Sequence, residues 1–146
     1  MNERKLVKSV VKDVLKTTVG VKKIVEYRPK LLQQTDFPSI VITIPKAREE
    51  RYSASAPYGK KIIKYTVSLE VTGVDVSPDG AGQLQFDDFL DAIDVELRKD
   101  PTFGGKVLSA GVEYIQTNTT APQLLNGQTV GLLAIKQFDV SILTTG

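Results

Sequence analysis

Apolar residues recur every three to four positions at the start of the chain: Val7, Val10, Val11, Val14 and Leu15, with Leu6 beside them. That spacing predicts an amphipathic helix over residues 2–18. Lys5, Lys8, Lys12 and Lys16 keep the same period on another side and make a basic stripe. Asn2 suits the N-cap, and Gly20 stands just past the expected end. Valines are mediocre helix formers, so this helix should depend on docking rather than on propensity.

The pattern then changes period. Ile24 to Tyr27 predicts a short strand ended by Arg28-Pro29. Ser39 to Ile44 predicts another, with Ile40, Ile42 and Ile44 on one face and Pro45 closing it. From Lys61 to Thr72 the alternation is strict: Ile63, Tyr65, Val67, Leu69 and Val71 against Lys64, Thr66, Ser68, Glu70 and Thr72. One buried and one solvated face imply an antiparallel sheet. Residues 46–60 between these strands look too long and too charged for a tight turn, and such loops are usually disordered or functional.

Val76-Ser77-Pro78-Asp79-Gly80 marks a turn before a second helix at about 82–99. Its apolar face is Phe86, Phe89, Leu90, Ile93 and Leu97, and its polar face holds Asp87, Asp91 and Asp94. Asp94 is spaced to pair with Arg98, and Asp100-Pro101 ends the helix. Gly104-Gly105 reverses the chain. A strand with an irregularity at Gly111 is expected over 106–117, then a polar loop with Asn118, Pro122 and Asn126-Gly127, then a last strand over 131–143. The expectation is one α+β domain spanning 1–146. It has an antiparallel sheet of about four strands, two main helices on one face and a long charged hairpin loop.

Composition removes whole classes of chemistry. The 146 residues include no Cys and no His. Disulfides, thiol nucleophiles, zinc-thiolate sites, Ser-His-Asp triads and imidazole shuttles are therefore out. Asp87, Asp88, Asp91 and Asp94 are close enough to suggest a metal, but a solvated helix face explains them. Gly80-Ala81-Gly82 precedes a helix, yet Gln85 stands where a dinucleotide fingerprint needs glycine, and no Gly-Lys-Ser/Thr follows. These patterns support neither an enzyme nor a cofactor. No run of about 18 apolar residues suggests a membrane span, and the Lys-rich start lacks the continuous apolar stretch of a signal peptide. Tyr52, Tyr58 and Tyr65 among Arg48, Arg51, Lys60, Lys61 and Lys64 leave a nucleic-acid-binding module as one alternative, although Glu49 and Glu50 dilute the charge.

The net charge of +2 conceals a separation. Residues 1–64 carry 15 basic and 6 acidic side chains, a net of +9; residues 65–146 carry 4 and 11, a net of −7. Either the halves neutralise each other within one subunit, or a basic patch of one copy meets an acidic patch of the next. Head-to-tail contacts of the second kind close into rings when the rotation permits.

The order of elements, Tyr27-Arg28-Pro29, Phe37-Pro38-Ser39-Ile40-Val41-Ile42, the charged excursion at 46–60 and Asp100-Pro101-Thr102-Phe103-Gly104-Gly105-Lys106-Val107 together resemble the tail-terminator (tail-completion) proteins of long-tailed bacteriophages. The resemblance covers most of the chain. It implies a structural virion protein, assembled in the bacterial cytoplasm as a hexameric ring. Such a ring caps the head-proximal end of the tail tube, stops tube growth and offers a docking surface to the neck. Its partners would be further copies, the tail-tube protein and the neck or head-completion protein, with DNA passing through the lumen without specific binding. Head-tail connector and neck proteins have similar size and topology and remain the alternative. The expected contact residues are Lys46, Arg48, Glu49, Arg51, Tyr52, Tyr58 and Lys60 in the excursion, because Tyr and Arg are enriched at interface hot spots. Asp87, Asp91 and Asp94 are expected to meet a neighbour's basic patch or line the lumen.

Overall fold

The alternating run lies in the long strand β3 (Lys60–Asp75) of a computed structural model, which describes residues 3–27, 37–51, 60–126 and 129–145. β3 is flanked by β2 (Ser39–Arg51) and β7 (Thr129–Thr145), both antiparallel to it. Tyr65, Val67, Leu69 and Val71 are buried on one face, while Lys64, Thr66, Glu70 and Thr72 on the other are half-buried. β1 (Lys23–Val25) joins the outer edge of β2 in parallel. On the opposite side, β4 (Ser109–Ala110), β5 (Gln116–Thr119) and β6 (Gln123–Asn126) line up along the outer edge of β7.

The sheet thus has seven strands rather than about four. The additional ones are short, and β7 sets their pairing. All four residues of β5 are exposed, so its sequence shows no alternation. The strand expected over 106–117 is broken as well. A turn leads into β4, a single 3-10 turn covers Val112–Tyr114, and β5 follows. Gly111 is the point of interruption, its N–H donating to Asp139 O at 2.6 Å.

Helices α1 (Glu3–Leu15) and α2 (Ala81–Arg98) both pack on the face that carries Tyr65 and Val67, as their periodicity requires. Val7, Val10, Val11 and Leu15 from α1 and Phe86, Phe89, Leu90, Ile93 and Leu97 from α2 enter one core with Ile40, Ile42, Leu132, Ala134, Phe138 and Val140. Each such large side chain contributes roughly 1.5–3 kcal/mol on burial. Docking fixes the start of α1. The Tyr65 hydroxyl donates to Glu3 Oε2 at 2.9 Å, Arg4 Nη1 donates to Ile44 O at 2.9 Å, and the Arg4 guanidinium lies 5.9 Å from the Tyr65 ring centre. Thr17 Oγ1, just past α1, donates to Glu96 Oε2 of α2 at 2.7 Å. Helix α1 ends at Leu15, short of the expected residue 18, so Gly20 at φ 90° lies in the turn beyond it rather than stopping it. Asn2 lies outside the described residues.

Candidate functional site

Residues 46–51 and 60 of the charged excursion extend the sheet as strand, and residues 52–59 lie outside the described residues. β2 runs past Pro45 through a register shift between Thr43 and Lys46, and then pairs Lys46↔Thr66, Arg48↔Lys64 and Arg51↔Lys61. Proline does not close the strand because it sits at a bulge on an edge, beyond the 39–41 stretch covered by β1. Lys46, Arg48 and Glu49 are exposed on this extension of β2, and Glu49 pairs with Lys61 at 3.1 Å. Tyr52 and Tyr58 lie outside the described residues, as do the side chains of Arg51 and Lys60.

The three aspartates of α2 divide into two kinds. Asp87 and Asp91 are exposed. Asp94 instead faces the sheet, where its Oδ1 lies 2.8 Å from Nζ of Lys136. Lys136 is only 2% exposed and also donates to Thr117 Oγ1 at 2.9 Å. This arrangement overturns two expectations, that Asp94 belongs to a solvated face and that it pairs with Arg98. A buried ammonium requires a counter-charge more than a surface guanidinium does, and Arg98 Nε donates to Val112 O at 2.9 Å. The sequence does carry a signal for Lys136, a lysine in the inward row Leu132, Ala134, Lys136, Phe138, Val140.

These contacts fix which flank of each helix faces which edge of the sheet. Asp94 reaches β7 beside β5, so the stripe Asp87, Asp91, Asp94 on α2 borders the β5 edge. Lys8 Nζ donates to Glu26 O just past β1 at 3.2 Å. The stripe Lys5, Lys8, Lys12, Lys16 on α1 therefore borders the β1 edge. Opposite lateral edges of the subunit carry opposite charge. The ion pairs Lys16–Asp13, Lys61–Glu49, Lys99–Glu96 and Lys136–Asp94 each stay within one half of the chain.

The turn before α2 is occupied by its own side chains. Asp75 accepts from the Ser77 N–H at 2.9 Å, from the Ser77 hydroxyl and from Gln83 Nε2 at 3.3 Å. Gly82 N–H donates to Ser77 Oγ and Ala81 N–H to Asp79 Oδ1, both at 3.1 Å. The glycines here serve the turn, with Gly80 at φ 78°. Hydrogen bonds from Ser77 hold the Asp75 carboxyl below its ordinary range; bonds from Lys99 and Thr17 do so for Glu96, and bonds from Thr102 and Gly104 for Asp100. Tyr65 moves the other way: burial, then the Glu3 carboxylate, pushes its hydroxyl up to about 12. A groove of about 490 Å³ opens beside this turn, lined chiefly by Phe37, Pro38, Val74, Phe86, Phe89 and Leu132. Among the described residues no group of three or more acidic side chains converges as a metal site, and no helix is long and apolar enough to cross a membrane.

Comparison with known protein families finds no match, and comparison with curated proteins finds none.

Proposed function

We propose that this chain is a tail terminator of a long-tailed bacteriophage, a structural virion protein that assembles head-to-tail into a ring of about six copies. The ring caps the tail tube, stops subunit addition and presents a surface to the neck. Its role is mechanical rather than catalytic. The observation that carries this reading is the placement of basic and acidic stripes on opposite lateral edges of one sheet. A subunit built this way presents complementary surfaces to two neighbours at once. The sheet topology supports it too, since the end of the sheet where β2, β3 and β7 run on together, at Lys46–Arg51, Lys60–Lys64 and Ser141–Thr145, is separate from both lateral edges and is left for an axial partner. On this assignment Lys46, Arg48 and Glu49, with Arg51, Tyr52, Tyr58 and Lys60, contact the tube or the neck.

Electron microscopy of particles lacking this protein tests the assignment. Overlong, headless tails are expected. DNA-leaking heads beside tails of normal length would instead assign the chain to the connector or neck.

A further inference from the structure

The two edges carry exposed charges of opposite sign on helix surfaces. Asp87, Asp91 and Asp94 recur at i, i+4 and i+7 on α2, and Lys5, Lys8 and Lys12 at i, i+3 and i+7 on α1. Asp94 is already paired with Lys136, so Asp87 and Asp91, about 6 Å apart along the helix, are the acidic charges of the row left for a neighbour. Each row is also accompanied by exposed apolar side chains. On the acidic side, Leu84 is 67% exposed and Val95 60% exposed, bracketing Asp87 and Asp91 along the helix. On the basic side, Tyr27, 66% exposed, follows the Glu26 carbonyl that Lys8 reaches. Tyr27 is of a residue type enriched at interface hot spots, and Leu84 and Val95 add apolar surface beside the acidic row.

We infer that the outer flank of α2, from Leu84 to Val95, is the docking surface for the α1–β1 edge of a second copy of this chain. Asp87 and Asp91 face the neighbour's lysine row, while Leu84 and Val95, about 16.5 Å apart along the helix, mark the two ends of the contact. Because the two surfaces lie on opposite edges, the contact is heterologous: each subunit uses both, and each added copy exposes the same pair again. Asp94 stays with Lys136 and holds the docking helix against the sheet. The inference deepens the ring proposal and rests on it only for closure at about six copies.

Charge reversal of each edge tests it. Asp87→Lys/Asp91→Lys makes both edges basic, and Lys5→Glu/Lys12→Glu/Lys16→Glu, which leaves only Lys8 of the stripe, makes both acidic. Each variant alone should self-associate about a hundredfold more weakly than the natural protein in sedimentation velocity. An equimolar mixture should recover assembly, since basic-edged and acidic-edged subunits can alternate. A chain carrying all five reversals should assemble by itself, and circular dichroism checks that each variant is folded. Rings formed equally well by both single-edge variants would overturn this interface while leaving the ring proposal standing. Recovery by mixing into open chains, not closed rings, would support the interface and overturn the ring. Failure of the natural protein to associate at all, even on tail tubes, would overturn both.

Discussion

Removing the Asp94 carboxylate should cost far more than removing the lysine it faces. Lys136 is 2% exposed, whereas the Asp94 side chain is 22% exposed. In Asp94→Ala the ammonium keeps only Thr117 Oγ1 as a described polar contact, and an uncompensated buried charge costs about 3–5 kcal/mol. The melting temperature of a domain this size should then fall by roughly 10 °C. In Lys136→Met a side chain of similar length fills the inward row between Ala134 and Phe138; Asp94 Oδ1 is itself buried, but the Asp94 side chain is 22% exposed and can turn its carboxylate toward water. That change should cost about 1 kcal/mol or less. The double variant should resemble Lys136→Met, giving a coupling of about 2 kcal/mol or more between the two positions. Urea unfolding at high salt and low protein concentration measures this with self-association suppressed. The expected sign is a lowered midpoint at unchanged slope for Asp94→Ala. Equal losses for the two single variants, or a loss under about 0.5 kcal/mol for Asp94→Ala, would refute the buried-charge account.

Gly73→Ala should destabilise by about 1–3 kcal/mol through overpacking, because a Cβ there comes within 2.8 Å of the Phe86 ring; thermal melts measure it. At alkaline pH the unfolded chain ionises Tyr65 first, so stability should fall as pH rises from about 10 toward 12. Tyr65→Phe should remove that slope in urea titrations. At the acid end the carboxyls of Asp75, Glu96 and Asp100 titrate lower in the folded state than in the unfolded one. Their stabilisation is present at neutral pH and should be lost as pH drops through about 4 and below. A midpoint that stays constant across that range would contradict this. Self-association should weaken with added salt, as screening shortens the reach of the edge charges.

Much of the fold is legible in the sequence wherever burial imposes a period. The core positions of α1, β3 and α2 follow from spacing alone, because one face of each element enters a single core. The signal fails where pairing rather than burial organises the chain. Gln116–Thr119 and Gln123–Asn126 become strands because β7 offers an unpaired edge. Pro45 looks terminal until the bulge and open edge that tolerate it are known. The site divides in the same way. The charge asymmetry is plain in the composition of the two halves, but its placement on opposite edges depends on helix order across the sheet. Asp94 could not be told from Asp87 and Asp91 by spacing, since only the inward-facing Lys136 distinguishes it.

The central claim is head-to-tail self-assembly into a closed ring. Sedimentation velocity of the natural protein over a concentration series at low salt, with negative-stain images of the same sample, tests it most directly. A closed ring with a mass of about six subunits is expected, dissociating as salt is raised. A species that remains monomeric throughout the series, and also in the presence of purified tail tubes, would contradict it.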